Sequence, residues 1–382
     1  MPVSPASALT GARIFTGGCF LDDHAILLDG ARIRDVVPRA ALPTDIAVED
    51  LGGGLLAPGF LDAQVNGGGG ILFNDTPSAD GAAGVAEAHR RFGTTGCLPT
   101  FITDRPEPQA AAVAAVREAI AQGRPGVLGI HLEGPHLSVA RKGAHDPALI
   151  RPMTEVDIEA LLSTGLDTVL VTVAAETVTP AQIRRLTDGG VIVSIGHSDA
   201  SYDVVMAAAD AGARCVTHLF NAMSQLGHRA PGVVGATLDH GGLWGGIIAD
   251  GHHVDPAALR AALRGKRGPA RLFLISDAMP PAGAPGDTFT LSGRAVMRRD
   301  GALTFDDGTL AGADLTMDAA LRFAVTHLDQ PLDEALRTAS LYPAEMLSLD
   351  RTRGRIASGY AADLVLLDEE LQVRRTWIRG MA

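Results

Sequence analysis

The chain has 382 residues, of which 46% are hydrophobic and 20% are charged, and its formal net charge is −12. This composition supports a large packed core and excludes an intrinsically disordered chain. So negative a chain has no basic face with which to displace counterions, which excludes nucleic acid as the main partner.

The cysteines and the apolar runs bear on the cellular compartment. Cys19, Cys97 and Cys215 are odd in number and dispersed, and no Cys-x-x-Cys pair occurs, which predicts free thiols in a reducing environment. Residues 1–20 lack a basic start followed by an apolar core, and no apolar run reaches the roughly 18 residues of a membrane span. We therefore expect a cytoplasmic protein without a membrane partner.

The two ends of the chain share a β-type pattern. Residues 1–55 alternate short apolar segments with Gly, Asp and Pro turns, which predicts small antiparallel strands. The tail, GRIASGYAADLVLLDEE followed by VRRTWIRG, has the same character. We predict that residues 1–56 and 348–382 form one small β-sandwich domain beside a central domain of residues 57–347.

The central region alternates two kinds of segment. Eight apolar β-type runs each end near a polar or glycine-rich phrase, and Ala-rich stretches of helical period separate most of them, at 79–92, 106–122, 154–164, 179–188 and 201–211. Strand and helix repeated eight times predict an α/β fold, the (β/α)₈ TIM barrel. Residues 286–312 predict a β insertion after the eighth strand, and helices resume at 315–328 and 332–347.

Three potential metal ligands follow predicted barrel strands. Glu133 comes after the third strand, His197 after the fifth and His218 after the sixth. The carboxyl ends of barrel strands open onto one face, so these side chains should converge there. Each alone is equally well explained as a structural carboxylate or a core histidine. Together they predict a metal site of the zinc type.

An aspartate at the end of the eighth strand supplies a candidate base. Asp277 follows LFLIS, and an unpaired carboxylate behind such an apolar run is costly. We expect it to face the metal or to pair with a cation, a structural salt bridge being the alternative. Beside a water activated by a metal, it could accept a proton and pass it to a leaving amine, so the chain is predicted to be a metal hydrolase.

Several phrases carry a more specific resemblance: HLEGPHL, KGAHDPALI, GHSDA, THLFNAMS, HRAPGVVGA and SDAM. In these phrases, and over nearly its whole length, the chain resembles the N-acetylglucosamine-6-phosphate deacetylases of the amidohydrolase superfamily. LEGP together with KGAH is far more selective than a generic metal-histidine pattern. The resemblance implies hydrolysis of N-acetyl-D-glucosamine 6-phosphate to D-glucosamine 6-phosphate and acetate.

The resemblance also implies roles for individual residues. It assigns the metal to Glu133, His197 and His218, general base and acid catalysis to Asp277, and polarisation of the acetyl carbonyl to His145. Sugar and phosphate contacts fall on Asn221, the backbone of Ala222, Gln64, His228, His253, and Arg229 reaching across a homodimer interface. Without the resemblance, His145 would be interpreted as a solvated loop residue, and Arg229 and His253 as surface charge.

The end of the first strand bears on the number of metal ions. Many amidohydrolases carry Asp-x-His-x-His there, whereas this chain has Asp62, Gln64 and Asn66. Amide side chains are poor zinc ligands, so we expect one divalent ion per chain, Zn²⁺ first, with Fe²⁺, Co²⁺ or Mn²⁺ as alternatives. His136 stands where the family more often has a bulky apolar residue, and His252 lies beside His253.

Two other classes of function remain open at this point. A related amidohydrolase acting on cyclic amides, acyl-amino acids or another N-acetyl hexosamine phosphate would share the metal ligands. A non-catalytic scaffold of the same fold would usually have lost ligands or the aspartate. This chain retains all of them.

Overall fold

The computed structural model describes residues 7–382 and contains an eight-stranded parallel sheet in which each strand pairs with the next along the chain. A parallel bridge between Val65 and Ala278 joins the first strand to the segment after the eighth, which closes the barrel. The predicted (β/α)₈ fold is therefore confirmed. The barrel strands, numbered 1 to 8, are Phe60–Val65, Thr94–Ile102, Ile130–Glu133, Val169–Val173, Ile192–Ile195, Cys215–Val216, Trp244–Ile247 and Leu272–Leu274.

The strands form because they are apolar on both faces. Every residue of Val169–Val173, for example, is buried, with one face against the barrel interior and the other against helices. The α-helices are Ala79–Arg90, Pro106–Ala121, Glu155–Leu162, Pro180–Asp188, Tyr202–Asp210, Gly232–Asp239, Pro256–Gly265, Met317–His327, Leu332–Ala339 and Leu341–Met346, with 3₁₀ turns at Arg39–Ala41 and Val139–Arg141. Among residues 7–382, no helix is both long and apolar enough to cross a membrane.

The predicted helices agree with the structure to within a few residues, with two differences. The single helix predicted at 332–347 is wrong: one helix ends at Ala339 and another begins at Leu341. Pro343 lacks an N–H group and cannot continue the hydrogen bonding of the preceding turn, so the chain starts a new helix. Gly232–Asp239 and Pro256–Gly265 were not predicted, since glycines weaken the helical signal of the first.

Two sheets from both chain ends form the small domain. The first has the strand order Arg32–Pro38, His24–Asp29, Ser7–Thr10, Ala47–Asp50, and the second has the order Val373–Trp377, Leu364–Leu367, Leu55–Pro58, Arg13–Phe15, Phe20–Leu21. Their shared apolar cluster includes Ile26, Leu56, Leu366 and Trp377. The antiparallel prediction is wrong for two pairs, because Ser7–Thr10 with Ala47–Asp50 and Arg13–Phe15 with Leu55–Pro58 are parallel. The boundaries 1–56, 57–347 and 348–382 stay a prediction.

The β insertion lies over the carboxyl end of the barrel. Its strands, Thr288–Leu291, Arg294–Arg299, Ala302–Thr304 and Leu310–Ala313, form an antiparallel sheet with its own apolar cluster. That cluster includes Ile102, the last residue of barrel strand 2, and Met279, which follows strand 8, and it contacts Ala144. A short hairpin, Gly67–Gly68 with Ile71–Leu72, follows barrel strand 1. The insertion thus forms one wall of the space above the barrel.

Candidate active site

Three buried side chains meet at the carboxyl end of the barrel. Glu133, His197 and His218 are 3%, 5% and 4% exposed. Glu133 Oε1 lies 3.3 Å from His197 Nε2 and 3.1 Å from His218 Nε2, and the two Nε2 atoms are 3.1 Å apart. Their ligand atoms all lie within 4.8 Å of one another. The structure therefore brings together the three residues at the ends of strands 3, 5 and 6.

The chemistry of these donors fits a divalent cation. His197 Nδ1 lies 2.8 Å from the carbonyl oxygen of Arg141, so Nδ1 carries the proton and Nε2 presents a lone pair. That lone pair faces a carboxylate and a second imidazole nitrogen, an arrangement that only a shared proton or a cation makes favourable. Burial alone would raise the pKa of Glu133, but its contacts with the two imidazoles hold that pKa well below its usual range.

A second layer of contacts holds His197. The amide of Ser138 donates to the His197 carbonyl at 2.9 Å. The segment from Ser138 to Arg141 therefore contacts His197 through two hydrogen bonds, one to its backbone and one to its ring. Arg141 Nε donates to Asp199 Oδ1 at 2.8 Å, and the Asp199 amide donates to Glu176 Oε1 at 2.7 Å. The sequence interpretation missed this layer, although Asp199 lies in the GHSDA phrase that carries the metal ligand.

Asp277 lies beside the same cluster, with its position set by two amides. Its Oδ1 accepts hydrogen bonds from Asn66 Nδ2 at 2.7 Å and from Gln64 Nε2 at 3.1 Å. Gln64 Nε2 also lies 3.2 Å from Glu133 Oε1. Burial, followed by the charge of Glu133, raises the pKa of Asp277 to about 6. The two amides at the end of strand 1, where many amidohydrolases have histidines, thus act as donors to carboxylates.

A cavity of about 350 Å³ opens above these groups. Its lining includes the three clustered ligands and Asp277, together with Asn66, Arg141, His145, Asn221, Ala222, His253, Met279, Thr309 and Leu310. Four residues predicted to contact substrate, His145, Asn221, Ala222 and His253, are therefore in one place. Of the other predicted contacts, Gln64 is buried behind the carboxylates, and His228 and Arg229 are exposed and lie outside this lining.

Two further histidines of the cavity are oriented by neighbours. His145 Nδ1 lies 2.8 Å from Thr103 Oγ1, and its ring meets that of His197 edge-on with centroids 4.4 Å apart. Burial, then the charge of His197, lowers the pKa of His145 to about 3, so its ring is neutral. His253 Nδ1 lies 2.6 Å from Asp250 Oδ2, and both side chains are nearly buried. Neither Thr103 nor Asp250 was identified from the sequence.

His252 and His136 lie near predicted site residues in the sequence but outside the lining of the active-site cavity. His252 is exposed, whereas His253 lines the cavity. His136 is 2% exposed and its Nδ1 lies 3.1 Å from the carbonyl of Arg151, outside the lining of the active-site cavity within the described chain. It lines a separate cavity of about 470 Å³ on the outer side of the barrel, which also contacts Val113 and Leu161.

The backbone is strained where the site residues follow their strands. His197, His218 and Asp277 have φ values of 46°, 31° and 49°, and Ala222 has a φ of 49°. This left-handed region is uncommon for residues other than glycine, and such strain is concentrated at functional sites. The sharp turn re-aims each side chain toward the common centre at the end of the barrel.

Comparison with known proteins agrees with this geometry. The Amidohydrolase family matches residues 55–382, and the NagA composite domain matches residues 7–56. An N-acetylgalactosamine-6-phosphate deacetylase of Shewanella sp. (strain ANA-3) is 45% identical over 97% of this chain and 94% of its own length. An N-acetylglucosamine-6-phosphate deacetylase of Haemophilus influenzae is 37% identical over 98% of each chain.

A solved structure is similar along the whole fold. The crystal structure of N-acetylglucosamine-6-phosphate deacetylase from Pasteurella multocida is 38% identical to this chain, with a TM-score of 0.95 over 98% of this chain and 99% of that one. The barrel, the buried Glu–His–His cluster and these full-length similarities lead to one conclusion. The chain belongs to the amidohydrolase family.

Proposed function

We propose that this protein hydrolyses the acetamide of N-acetyl-D-glucosamine 6-phosphate, a linear amide, to give D-glucosamine 6-phosphate and acetate. Such a reaction belongs to amino-sugar catabolism and cell-wall recycling in the cytoplasm. The observation that carries the proposal is the buried Glu133–His197–His218 cluster with Asp277 beside it, all facing one cavity. Deacetylases of N-acetyl hexosamine phosphates among its relatives support the choice of substrate class.

Glu133, His197 and His218 would hold one divalent ion, Zn²⁺ before Fe²⁺, Co²⁺ or Mn²⁺. Nitrogen and carboxylate donors of this kind suit zinc. When bound, the ion supplies a Lewis acid that acidifies a water molecule and polarises the acetyl carbonyl. At the end of strand 1, Gln64 and Asn66 use their amide groups to donate to the carboxylates of Glu133 and Asp277. This use of both amides supports a single ion rather than two.

Asp277 would serve as base and then as acid. Within residues 7–382, both side-chain donors to this carboxylate bind Oδ1, which leaves Oδ2 as the oxygen that exchanges a proton. Oδ2 accepts the proton of the attacking water as the new C–O bond forms at the acetyl carbon. It then gives this proton to the nitrogen as the C–N bond breaks, so the amine and acetate leave. Burial raises the pKa of Asp277 toward neutral pH, where a group can both accept and give a proton.

The remaining cavity residues would bind the sugar and its oxyanion. His145 stabilises the negative charge that develops on the acetyl oxygen. Asn221, the backbone of Ala222 and His253 contact the sugar phosphate. Within the described chain, Arg141 is the only lysine or arginine of the cavity lining, and Asp199 already pairs with it.

A phosphate dianion in this acidic protein therefore needs a further cation. We assign that role to Arg229 of the partner subunit in a homodimer, with His228 of the partner subunit beside it. Both residues are exposed on the loop that follows Met223, which suits a contact in trans. A guanidinium can bind phosphate oxygens in a bidentate fork.

A second candidate substrate is N-acetyl-D-galactosamine 6-phosphate. The observation that favours it is the 45% identity to a relative named for that activity, above the 37% to the glucosamine enzyme of Haemophilus influenzae. The two sugars differ only in the configuration of one ring hydroxyl, so the same metal ligands and base serve both. Cyclic amides and acyl-amino acids carry no phosphate and would leave Arg229 without a partner.

Acetate release from four compounds tests the proposal. The metal-loaded protein is assayed with the two N-acetyl hexosamine 6-phosphates, with unphosphorylated N-acetylglucosamine and with an N-acetyl amino acid. We expect the highest kcat/KM with N-acetyl-D-glucosamine 6-phosphate. A higher value with the galactosamine epimer would select the second candidate, and preference for an unphosphorylated compound would contradict both.

A further inference from the structure

The orientation of His145 depends on a single hydroxyl group. Thr103 follows barrel strand 2, is 6% exposed and places Oγ1 2.8 Å from His145 Nδ1. The same hydroxyl lies 3.3 Å from the carbonyl oxygen of Glu133. Within residues 7–382 the other ring nitrogen, Nε2, has no hydrogen bond, and the ring lines the active-site cavity. Among the described residues, Thr103 is thus the hydrogen-bond partner of the His145 ring.

Two arrangements of protons satisfy these distances. In one, the Thr103 hydroxyl donates to Nδ1, so the neutral ring carries its proton on Nε2 and presents a donor to the cavity. In the other, Nδ1 donates to Oγ1, the hydroxyl donates to the Glu133 carbonyl, and Nε2 presents a lone pair. Only the first can stabilise an oxygen on which negative charge develops, because a lone pair would repel it.

The geometry favours the first arrangement. The separation of 2.8 Å between Oγ1 and Nδ1 suits donation in either direction, but the 3.3 Å from Oγ1 to the Glu133 carbonyl is beyond the usual range for a hydroxyl donor, which disfavours the second arrangement. The chain also leaves room for this hydroxyl. A Cβ atom at Gly134, whose φ is 89°, would overlap Thr103 Oγ1. The glycine of the LEGP phrase thus permits the approach of Thr103 to His145.

We propose that Thr103 is a positioning residue that, by donating its hydroxyl proton to His145 Nδ1, makes His145 Nε2–H a hydrogen-bond donor to the acetyl oxygen. The inference rests on the proposed deacetylation for the identity of that oxygen. The location of the proton is a property of the resting protein and needs no turnover. The two hypotheses can therefore fail separately.

Nitrogen NMR measures the proton's location directly. The zinc-loaded protein is labelled with ¹⁵N-histidine at pH 7.5, and the ring resonances of His145 are assigned by their loss in His145→Asn. We expect a protonated Nε2 and an unprotonated Nδ1. A proton on Nδ1, alone or together with one on Nε2, would overturn the inference even in a fully active enzyme.

Kinetics of isosteric variants provide the second measurement. Thr103→Val removes the hydroxyl without changing the shape of the side chain, and we expect kcat to fall about two- to twelvefold with KM little changed. Thr103→Ser should restore kcat and the Nε2 proton. Thr95→Val is the matched control, because Thr95 is a buried residue near the start of the same strand whose hydroxyl donates to the Phe60 carbonyl at 3.3 Å.

The variants also separate positioning from packing. A purely packing role would impair Thr103→Ser, which loses the methyl group, and spare Thr103→Val, which keeps the side-chain shape, and that result would overturn the inference. An unchanged kcat in Thr103→Val would do the same. If Thr103→Val fails to fold, the NMR measurement on the wild-type protein and the kinetics of Thr103→Ser still decide. Wild-type protein that releases no acetate from either hexosamine phosphate would instead refute the proposed function.

Discussion

Replacing Asp277 with asparagine should separate catalysis from folding. The variant keeps Oδ1, which can still accept from Asn66 and Gln64 at the observed 2.7 and 3.1 Å, so the local structure should persist. The amide cannot accept a proton from water. General acid–base catalysis contributes about 10²–10⁴-fold to the rate, which corresponds to about 2.7–5.4 kcal/mol of activation free energy. The kcat of the variant should therefore fall at least about 100-fold.

The same substitution should stabilise the metal-free protein. Burial and the charge of Glu133 raise the pKa of Asp277 from 3.8 to about 6, so ionising this carboxyl at neutral pH costs about 3 kcal/mol in the folded state. Asparagine carries no charge and avoids the cost. At pH 7, urea unfolding of metal-free Asp277→Asn should give a free energy of unfolding higher than wild type by up to about 3 kcal/mol.

Three measurements on one set of proteins test this reasoning: kcat, bound metal and urea unfolding. Asp188→Asn is the matched control, since Asp188 is exposed at the end of the helix Pro180–Asp188. Retention of more than about a tenth of wild-type kcat would mean that another group is the base. Loss of bound metal in Asp277→Asn would make Asp277 a ligand rather than a base. A lower free energy of unfolding would contradict the electrostatic argument.

Four further outcomes are expected. Metal analysis should find one tightly bound divalent ion per active chain; two ions that are both needed for turnover would refute the single-ion hypothesis. Arg229→Ala should lower kcat/KM for the phosphorylated sugar about 10–150-fold and leave unphosphorylated N-acetylglucosamine unaffected, whereas an equal loss on both would make Arg229 structural. Asp199→Ala removes the exposed ion pair with Arg141, so the variant should release metal to a chelator about two- to fivefold faster than wild type. An unchanged rate would show that the Arg141 carbonyl holds His197 without help from Asp199. His131 is buried on barrel strand 3, and this burial lowers its pKa from 6.5 to about 4, so the unfolded chain binds the proton first as pH falls. Between those pH values the metal-free protein should lose about 1.4 kcal/mol of stability per pH unit through this group, and His131→Gln should show a shallower pH dependence in urea unfolding.

The fold and the principal cluster could be predicted from the sequence because both depend on local pattern. Eight apolar runs alternating with helical periodicity require a barrel, and the carboxyl ends of barrel strands share one face. Glu133, His197, His218 and Asp277 each follow such a run directly. Their convergence therefore needed no knowledge of distances. Helices with a clear apolar period were predicted as well, whereas the glycine-containing Gly232–Asp239 was not.

Only the tertiary structure decided how the residues around that cluster act. Gln64 donates to two carboxylates and Thr103 pairs with His145 across different barrel strands and loops, and such pairs leave no periodic signal in one sequence. His253 donates to Asp250 within one loop, a contact that the sequence also does not reveal. The left-handed turns at His197 and Asp277 are likewise a product of the tertiary structure, because residues other than glycine adopt that conformation uncommonly. Residue order along the chain determines which side chains reach the barrel mouth, and three-dimensional packing determines which atom of each side chain faces the reaction.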